Sequence, residues 1–550
     1  MTRRAATQVT RSHFLEKNDT AIRLSPLNKY MSDETSTTWQ TKKKIVIIGA
    51  GVAGLNCGLT LIRDGNLTKD DILILEGKDR PGGRIHTQHY TVQGRRFAYD
   101  AGAAWIHGHI NNPLVRHLEQ SKEKKATTDD DASPQALDRD ILIETFPNGN
   151  PWTRPRTAVH HTSFFINGDQ PLEEEVSASL ETYEELMSVV AKVGCAAYYI
   201  GEGLSLMDVS LSDALQIIQE HYNCDEPVLS CNIVRHLVNY FLHSLCLWHS
   251  VDYSEMQLSE YAADDMEDDY HDREMTDGDF PGAHCNVVGG MQDILQPMLD
   301  CVGTSVCYNQ DVTRVEKLDN GKIKISCASG YSCIADFCVV TIPLGCLKDE
   351  SISFYPKLSF DKLGAIESLS MGSYMKVLLT FKHIWWPTRK PQIALIRHSK
   401  SHHKATLNIG SYLTMDNLWA KDDIPCLEAI LVGCASRHAH YETDAVIRDV
   451  ILSFIKATMI SPDTMSSICI EALCTGCHIT RWDQDPYSRG AYSFWPLGAK
   501  EIHIENLGSP EWDGILHFAG EATNAEYEGS VHGAFLSGEA VAEDIIYRYL

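Results

Sequence analysis

Residues 45–54 read Ile45-Val46-Ile47-Ile48-Gly49-Ala50-Gly51-Val52-Ala53-Gly54, and this stretch decides the fold. Ile45 to Ile48 is short, apolar and β-branched, the pattern of a buried parallel strand. The GxGxxG sequence follows at once, and Leu55 to Asp64 has the spacing of a helix. Between strand and helix each glycine has a task. Gly49 permits the tight turn, Gly51 lets the backbone approach a pyrophosphate, and Gly54 lets helix and strand pack closely. The helix N-terminus beside Val52 and Ala53 offers free N–H groups and a positive dipole to phosphates. A second strand, Asp71 to Leu75, ends at Glu76, 22 positions after Gly54. That is near the spacing of the carboxylate that accepts ribose hydroxyls, and an acid there argues against NADP.

Working outward, Arg80-Pro81-Gly82-Gly83-Arg84 comes next. Two glycines between arginines make a second phosphate-approach loop, with guanidinium donors suited to a pyrophosphate. NAD enzymes do not need this loop. Here the sequence resembles the FAD-containing amine oxidase family, whose members carry RxGGR after the first βαβ unit. Asp100 to Gly108 is similar to the family segment that passes beside the flavin. Asp311 to Val315 resembles the strand that holds the adenine, and Ala335 to Leu347 the return strand to the cofactor domain. Ser373-Tyr374-Met375-Lys376-Val377 matches the family's lysine motif. Arg481 to Tyr492, Leu516 to Thr523 and Tyr527 to Ala534 match its C-terminal signature, which opens a helix from Phe535 to Tyr547. The resemblance implies FAD contacts at Gly49, Gly51, Val52, Ala53, Gly54, Glu76, Arg80, Gly82, Gly83, Arg84, Gly102, Ala103, Ala104, Trp105, Val312, Trp482, Gly520, Glu521, Ser530 and Val531.

It also implies catalytic roles. Lys376 holds a water against flavin N5, and Tyr492 and Tyr527 sandwich the substrate amine. On its own, Lys376 reads as a lysine at a strand edge, and each tyrosine as core packing. His107 reads equally as a packed neutral histidine or as a substrate-binding one. Where related monoamine oxidases carry a flavin-linked cysteine, this chain has Ala491, which implies non-covalent FAD. Trp105-Ile106-His107-Gly108 resembles the polyamine oxidase branch. The histone-demethylase branch adds an N-terminal helical module and a long helical hairpin, and neither is expected here. The resemblance covers Lys42 to Arg548, apart from two acidic stretches.

Composition fits this expectation. The chain has 550 residues, 43% of them apolar, so a wholly disordered or coiled-coil chain is excluded. Its net charge of −26 opposes nucleic acid and anionic membranes and favours a cationic substrate. Seventeen scattered cysteines do not form a compact disulfide framework and fit a reducing compartment. No apolar run reaches the ~18 residues of a membrane helix. A cytoplasmic monomer is expected. The acid-free start, with Arg3, Arg4 and Arg11, weakly resembles a mitochondrial presequence, and a disordered arm over 1–41 is the plainer reading. Cys474-Thr475-Gly476-Cys477-His478 has c-type haem spacing but runs straight into the flavin motif, so neither haem nor metal is expected.

The expected architecture is α/β, α+β overall. A Rossmann-like FAD domain (42–115, 284–350 and 470–550) is interleaved with a mixed-sheet and helical substrate domain (116–283 and 351–469). Helices are expected over Ser177–Val193, Leu211–His221, Asn232–Leu247 and Asp444–Met459, and strands over Lys322–Cys327, Phe337–Ile342 and Lys376–Phe381. Ser121–Pro155 and Asp264–Gly282 read as charged surface loops. The expected reaction is oxidation of spermine, spermidine or their N-acetylated forms by hydride transfer, with O₂ reduced to H₂O₂. An L-amino-acid or monoamine oxidase and a flavin-bearing scaffold without catalysis are the alternatives.

Overall fold

The computed structural model describes residues 40–126, 142–146, 161–199, 209–221, 232–258, 280, 284–397, 407–460 and 469–549. The expected N-terminal arm lies outside these up to residue 39, and so does Asp264–Gly282 apart from Phe280. Strand Gln40–Ile48 pairs in parallel with Ile72–Leu75 on one side and Ser332–Val340 on the other. The full sheet runs Ser353–Tyr355, Val312–Lys317, Ile323–Cys327, Ser332–Val340, Gln40–Ile48, Ile72–Leu75, Val306–Cys307. Leu516–Phe518 lies beside the carboxyl half of Ser332–Val340. Ile45 and Ile47 enter one core and Val46 and Ile48 the other. Burial on both faces is why this strand is continuously apolar rather than alternating. Each such side chain contributes about 1.5–3 kcal/mol of burial.

The first helix spans Val52–Arg63, starting three residues before the expected Leu55, because extended Gly51 is its N-cap. Helix Val531–Tyr549 packs against it so closely that a Cβ on Gly538 would lie 2.1 Å from the Ala53 carbonyl oxygen. Asn56 ties the two by donating to the Phe535 carbonyl at 2.8 Å.

A second sheet runs Cys474–Ile479, Tyr374–Phe381, Cys426–Val432, Tyr412–Asn417, Gln392–Ile396, Thr162–Ile166, antiparallel except for the last pair. Met375, Val377, Leu379 and Phe381 enter the core beneath helix Asp444–Met459. The opposite face packs under helices Glu173–Tyr199, Leu211–His221 and Asn232–His249 and bears Tyr374 and Lys376. The CxxCH run is the edge strand of this sheet.

Three expectations need correction. Ser353–Tyr355 continues the first sheet past residue 350, and Cys474–Ile479 belongs to the second sheet although it lies past 470. The segment 121–155 is not a simple loop. Helix Pro113–Ala126 runs into it, and Leu142–Phe146 forms a strand against His284–Val287. Helix 177–193 extends to Glu173–Tyr199, with Glu173, Glu174 and Glu175 complementing the dipole of its first turn. Among the described residues no helix is long and apolar enough to cross a membrane.

Candidate active site

One cavity of 1570 Å³ runs from the glycine turn to the strand face bearing Lys376. That exceeds the ~300–1,000 Å³ of ordinary small-molecule sites, so a dinucleotide and a second molecule fit together. At its first end lies the turn. Gly49 has φ +108°, and a Cβ on Gly54 would strike the Gly49 carbonyl oxygen at 2.1 Å, whereas one on Gly51 would meet nothing within 4 Å. The backbone is therefore packed tightly behind the turn and open in front of it, as a pyrophosphate cradle requires. Glu76 ends its strand buried against the cavity. It accepts from the Ala50 N–H at 2.7 Å and the Lys78 N–H at 2.9 Å. Burial pushes its carboxyl up, and those two N–H groups oppose the rise. Each oxygen retains capacity for a hydroxyl donor. These features fit the adenosine and pyrophosphate of a dinucleotide.

The two arginines of the second loop part ways. Arg80 spends its guanidinium on the loop's own carbonyls, those of Pro81, Gly83 and Ile85 at 2.9–3.1 Å. It shapes the loop and is not among the cavity-lining residues, contrary to the phosphate-donor expectation. Arg84 does line the cavity. Its Nη1 donates to Glu521 at 2.7 Å and to the Ala491 carbonyl at 2.9 Å. Glu521 is engaged at its other oxygen by the Ser493 hydroxyl at 2.5 Å and the Gly529 N–H at 3.1 Å. Its carboxylate thus clamps three chain segments to the arginine loop. Trp482 donates Nε1–H to the Ala101 carbonyl at 3.0 Å, and a Cβ on Gly102 would lie 1.8 Å from the Arg84 carbonyl oxygen. Gly82, Gly83, Ala103, Ala104, Trp105, Val312 and Gly520 also line the cavity. Ser530 caps helix Val531–Tyr549 by accepting from the Gly533 N–H at 2.9 Å, which turns that helix N-terminus and Val531 toward the cavity.

At the far end Lys376 is 9% exposed. Its Nζ donates to the Asp100 carbonyl at 2.8 Å and lies 3.7 Å from Glu428. Glu428 stands opposite Asp416 in the strand register, and both line the cavity. Burial, then the neighbouring Glu428, raises the Asp416 carboxyl to about 7, against the pull of Lys421, Lys376 and Gln392. Tyr492 is held by its hydroxyl, which donates to the Trp248 carbonyl at 2.7 Å, and burial pushes its pKa up. Tyr527 is stacked on Phe280 at 5.2 Å between ring centroids. His107 faces His284, Nδ1 to Nδ1, at 2.9 Å. Burial, then His284 and His532, holds His107 well below its ordinary 6.5. Lys376, Tyr492, Tyr527 and His107 therefore share one cavity.

Sequence reasoning missed Glu428, Asp416, Trp248, Phe280 and His284. One signal was available. Glu428 is the sole charge in the otherwise apolar strand Cys426-Leu427-Glu428-Ala429-Ile430-Leu431-Val432, and a lone carboxylate in such a run needs a reason.

Residues 52–546 match the family described as flavin containing amine oxidoreductase. "Lysine-specific histone demethylase 1 homolog 3" of Oryza sativa subsp. indica is 27% identical over 507 residues, covering 91% of this chain and 54% of that protein. The chain thus spans about half the length of that relative. "Polyamine oxidase 4" of Oryza sativa subsp. japonica is 26% identical over 527 residues, covering 92% and 89%. A solved putrescine oxidase with putrescine bound shares the fold, with a TM-score of 0.61, 17% identity and coverage of 93% and 100%.

Proposed function

The chain belongs to the flavin-containing amine oxidoreductases, and from that premise we propose that it binds FAD non-covalently and oxidises polyamines such as spermine, spermidine or their acetylated forms. The substrate is converted to an imine that hydrolyses to an aldehyde and a shorter amine. Bound flavin supplies the two-electron acceptor, and its reoxidation by O₂ gives H₂O₂. The chain's own groups do the rest. Glu76 holds the ribose hydroxyls, and Gly51 and the helix N-terminus at Val52 take the pyrophosphate. Val312 holds the adenine through its main chain. The capped helix at Ser530 and Val531 would offer its positive end to the bound ring system and stabilise negative charge there. Arg80 and Glu521 act indirectly, one by shaping the arginine loop and the other by clamping it. Tyr492 and Tyr527 offer ring faces to the amine, Lys376 holds water at the reactive edge, and His107 borders the substrate.

The observation that carries the polyamine reading is the wall around Lys376. Two acids, Glu428 and Asp416, line the cavity beside Lys376, and Lys421 also acts on Asp416. An anionic wall favours a substrate with more than one cation over a monoamine, and it offers no clamp for a carboxylate. A methylated lysine side chain is the competing cation, given the demethylase relatives. The test is anaerobic bleaching of the bound flavin by spermine, N-acetylspermine, a dimethyl-lysine peptide and leucine. Bleaching by the first two alone supports the proposal, and bleaching only by the peptide or by leucine refutes it.

A further inference from the structure

An isolated antiparallel bridge joins Ile106 and Cys285 through N–H···O bonds of 2.8 and 3.0 Å. It sets the next residues, His107 and His284, against each other across the two segments, with Nδ1 atoms 2.9 Å apart. Two ring nitrogens at that distance hold one proton between them. His107 lines the cavity and His284 stands behind it. The Trp248 and His107 rings meet edge to face with centroids 4.9 Å apart, and the Trp248 carbonyl holds the Tyr492 hydroxyl, so the pair borders the Tyr492 side. The groups whose charge reaches His107 are His284 and His532, both histidines. With Nδ1 engaged, Nε2 is the His107 nitrogen left for the cavity.

We propose that His107 and His284 form a proton-accepting pair that neutralises the substrate ammonium before it is oxidised. This rests on the amine-oxidation reading above, because only a neutral nitrogen has the lone pair that drives the reaction. The ammonium N–H bond breaks and its electron pair stays on nitrogen. The proton goes to Nε2 of His107 as the shared proton passes from His107 Nδ1 to His284 Nδ1. No electrons are exchanged, and the positive charge ends on His284, one ring away from the substrate. Burial keeps His107 neutral at rest and weakens it as a base, while the same cavity lowers the pKa of a desolvated ammonium, so the transfer depends on His284 carrying the charge onward. His107 is the catalytic member and His284 the positioning one. Loss of hydride leaves an iminium cation, whose hydrolysis gives the aldehyde and an already protonated product amine, and the proton held by the pair is consumed when O₂ is reduced to H₂O₂.

The experiment is stopped-flow anaerobic reduction of the holoenzyme by spermine between pH 6.5 and 10, for wild type, His284→Leu and His284→Asn. Asparagine keeps a donor for His107 Nδ1 but takes no proton. Both variants are expected to bind FAD and to lose about 100-fold in limiting reduction rate at pH 7, recovering toward wild type at pH 10, where the amine arrives neutral. If one variant loses its flavin, the other carries the test, and His107→Gln with the same profile replaces both. Loss that is equal at every pH marks a packing role and overturns the pair, as does no loss at pH 7. Failure of every amine to bleach wild type removes the oxidase reading and the pair together. Normal bleaching with unchanged variant profiles removes the pair alone.

Discussion

Asp416 gives a measurable cost to the anionic wall. Its carboxyl is raised from 3.8 to about 7, first by burial and then by Glu428. A carboxyl held above its unfolded value stabilises the fold only while protonated. That contribution is complete below about pH 4, drains as pH rises and is gone above about pH 7. Carried through in full, the shift costs roughly 4 kcal/mol. Asp416 and Glu428 border the cavity rather than a closed core, so the full figure is discounted to about 2 kcal/mol. Asp416→Asn is neutral at every pH and keeps an oxygen for the Gln392 amide, which donates at 3.3 Å. The variant holoenzyme should therefore match wild type near pH 4 and be more stable above pH 7, with Tm higher by about 2 °C for a chain of this size. Paired calorimetric melts from pH 4 to 8.5 measure the gap. A gap independent of pH, or a variant less stable at pH 8, refutes the reasoning. A higher KM for spermine in the same variant would show what the instability serves.

Lys376→Met should keep FAD bound while slowing flavin reduction or reoxidation in stopped-flow traces, and normal turnover would remove its role. Glu521→Gln leaves Arg84, whose side chain is 23% exposed, without its anionic partner. It should cost about 3 kcal/mol and release flavin on dilution, read from the absorbance ratio of flavin to protein. In the His284 variants kcat/KM for spermine should rise with pH through an amine-like pKa, because without the pair the ammonium must lose its proton before it binds, and a flat variant profile from pH 6 to 10 counts against the chemistry.

The cofactor end of the site was legible because its chemistry is local. Strand, glycine turn and helix occupy Ile45 to Arg63, and Glu76 follows within one βαβ unit. The substrate end was not, because it depends on register. Asp416 meets Glu428 only once Tyr412–Asn417 and Cys426–Val432 have paired, and His107 meets His284 through one bridge between residues far apart in sequence. Arg80 misled for another reason. Residue type announces a guanidinium near phosphate, but the direction of that guanidinium is set by three loop carbonyls. The lysine motif located Lys376 on its strand, while its partners Asp100 and Glu428 lie on other elements.

The packing of Val531–Tyr549 across Val52–Arg63 has a consequence for biosynthesis. Strand Leu516–Phe518 must slide beside Ser332–Val340, and Gly538 must nest on Ala53, before the first sheet and its glycine turn are covered. Such contacts bridge residues far apart in sequence, 479 positions for Asn56 and Phe535, and form slowly. A ribosome exposes the phosphate turn long before the helix that covers it, so the turn waits open while the intervening residues are made. Cofactor supply once the covering helix has emerged, rather than before, then governs how many chains escape proteolysis.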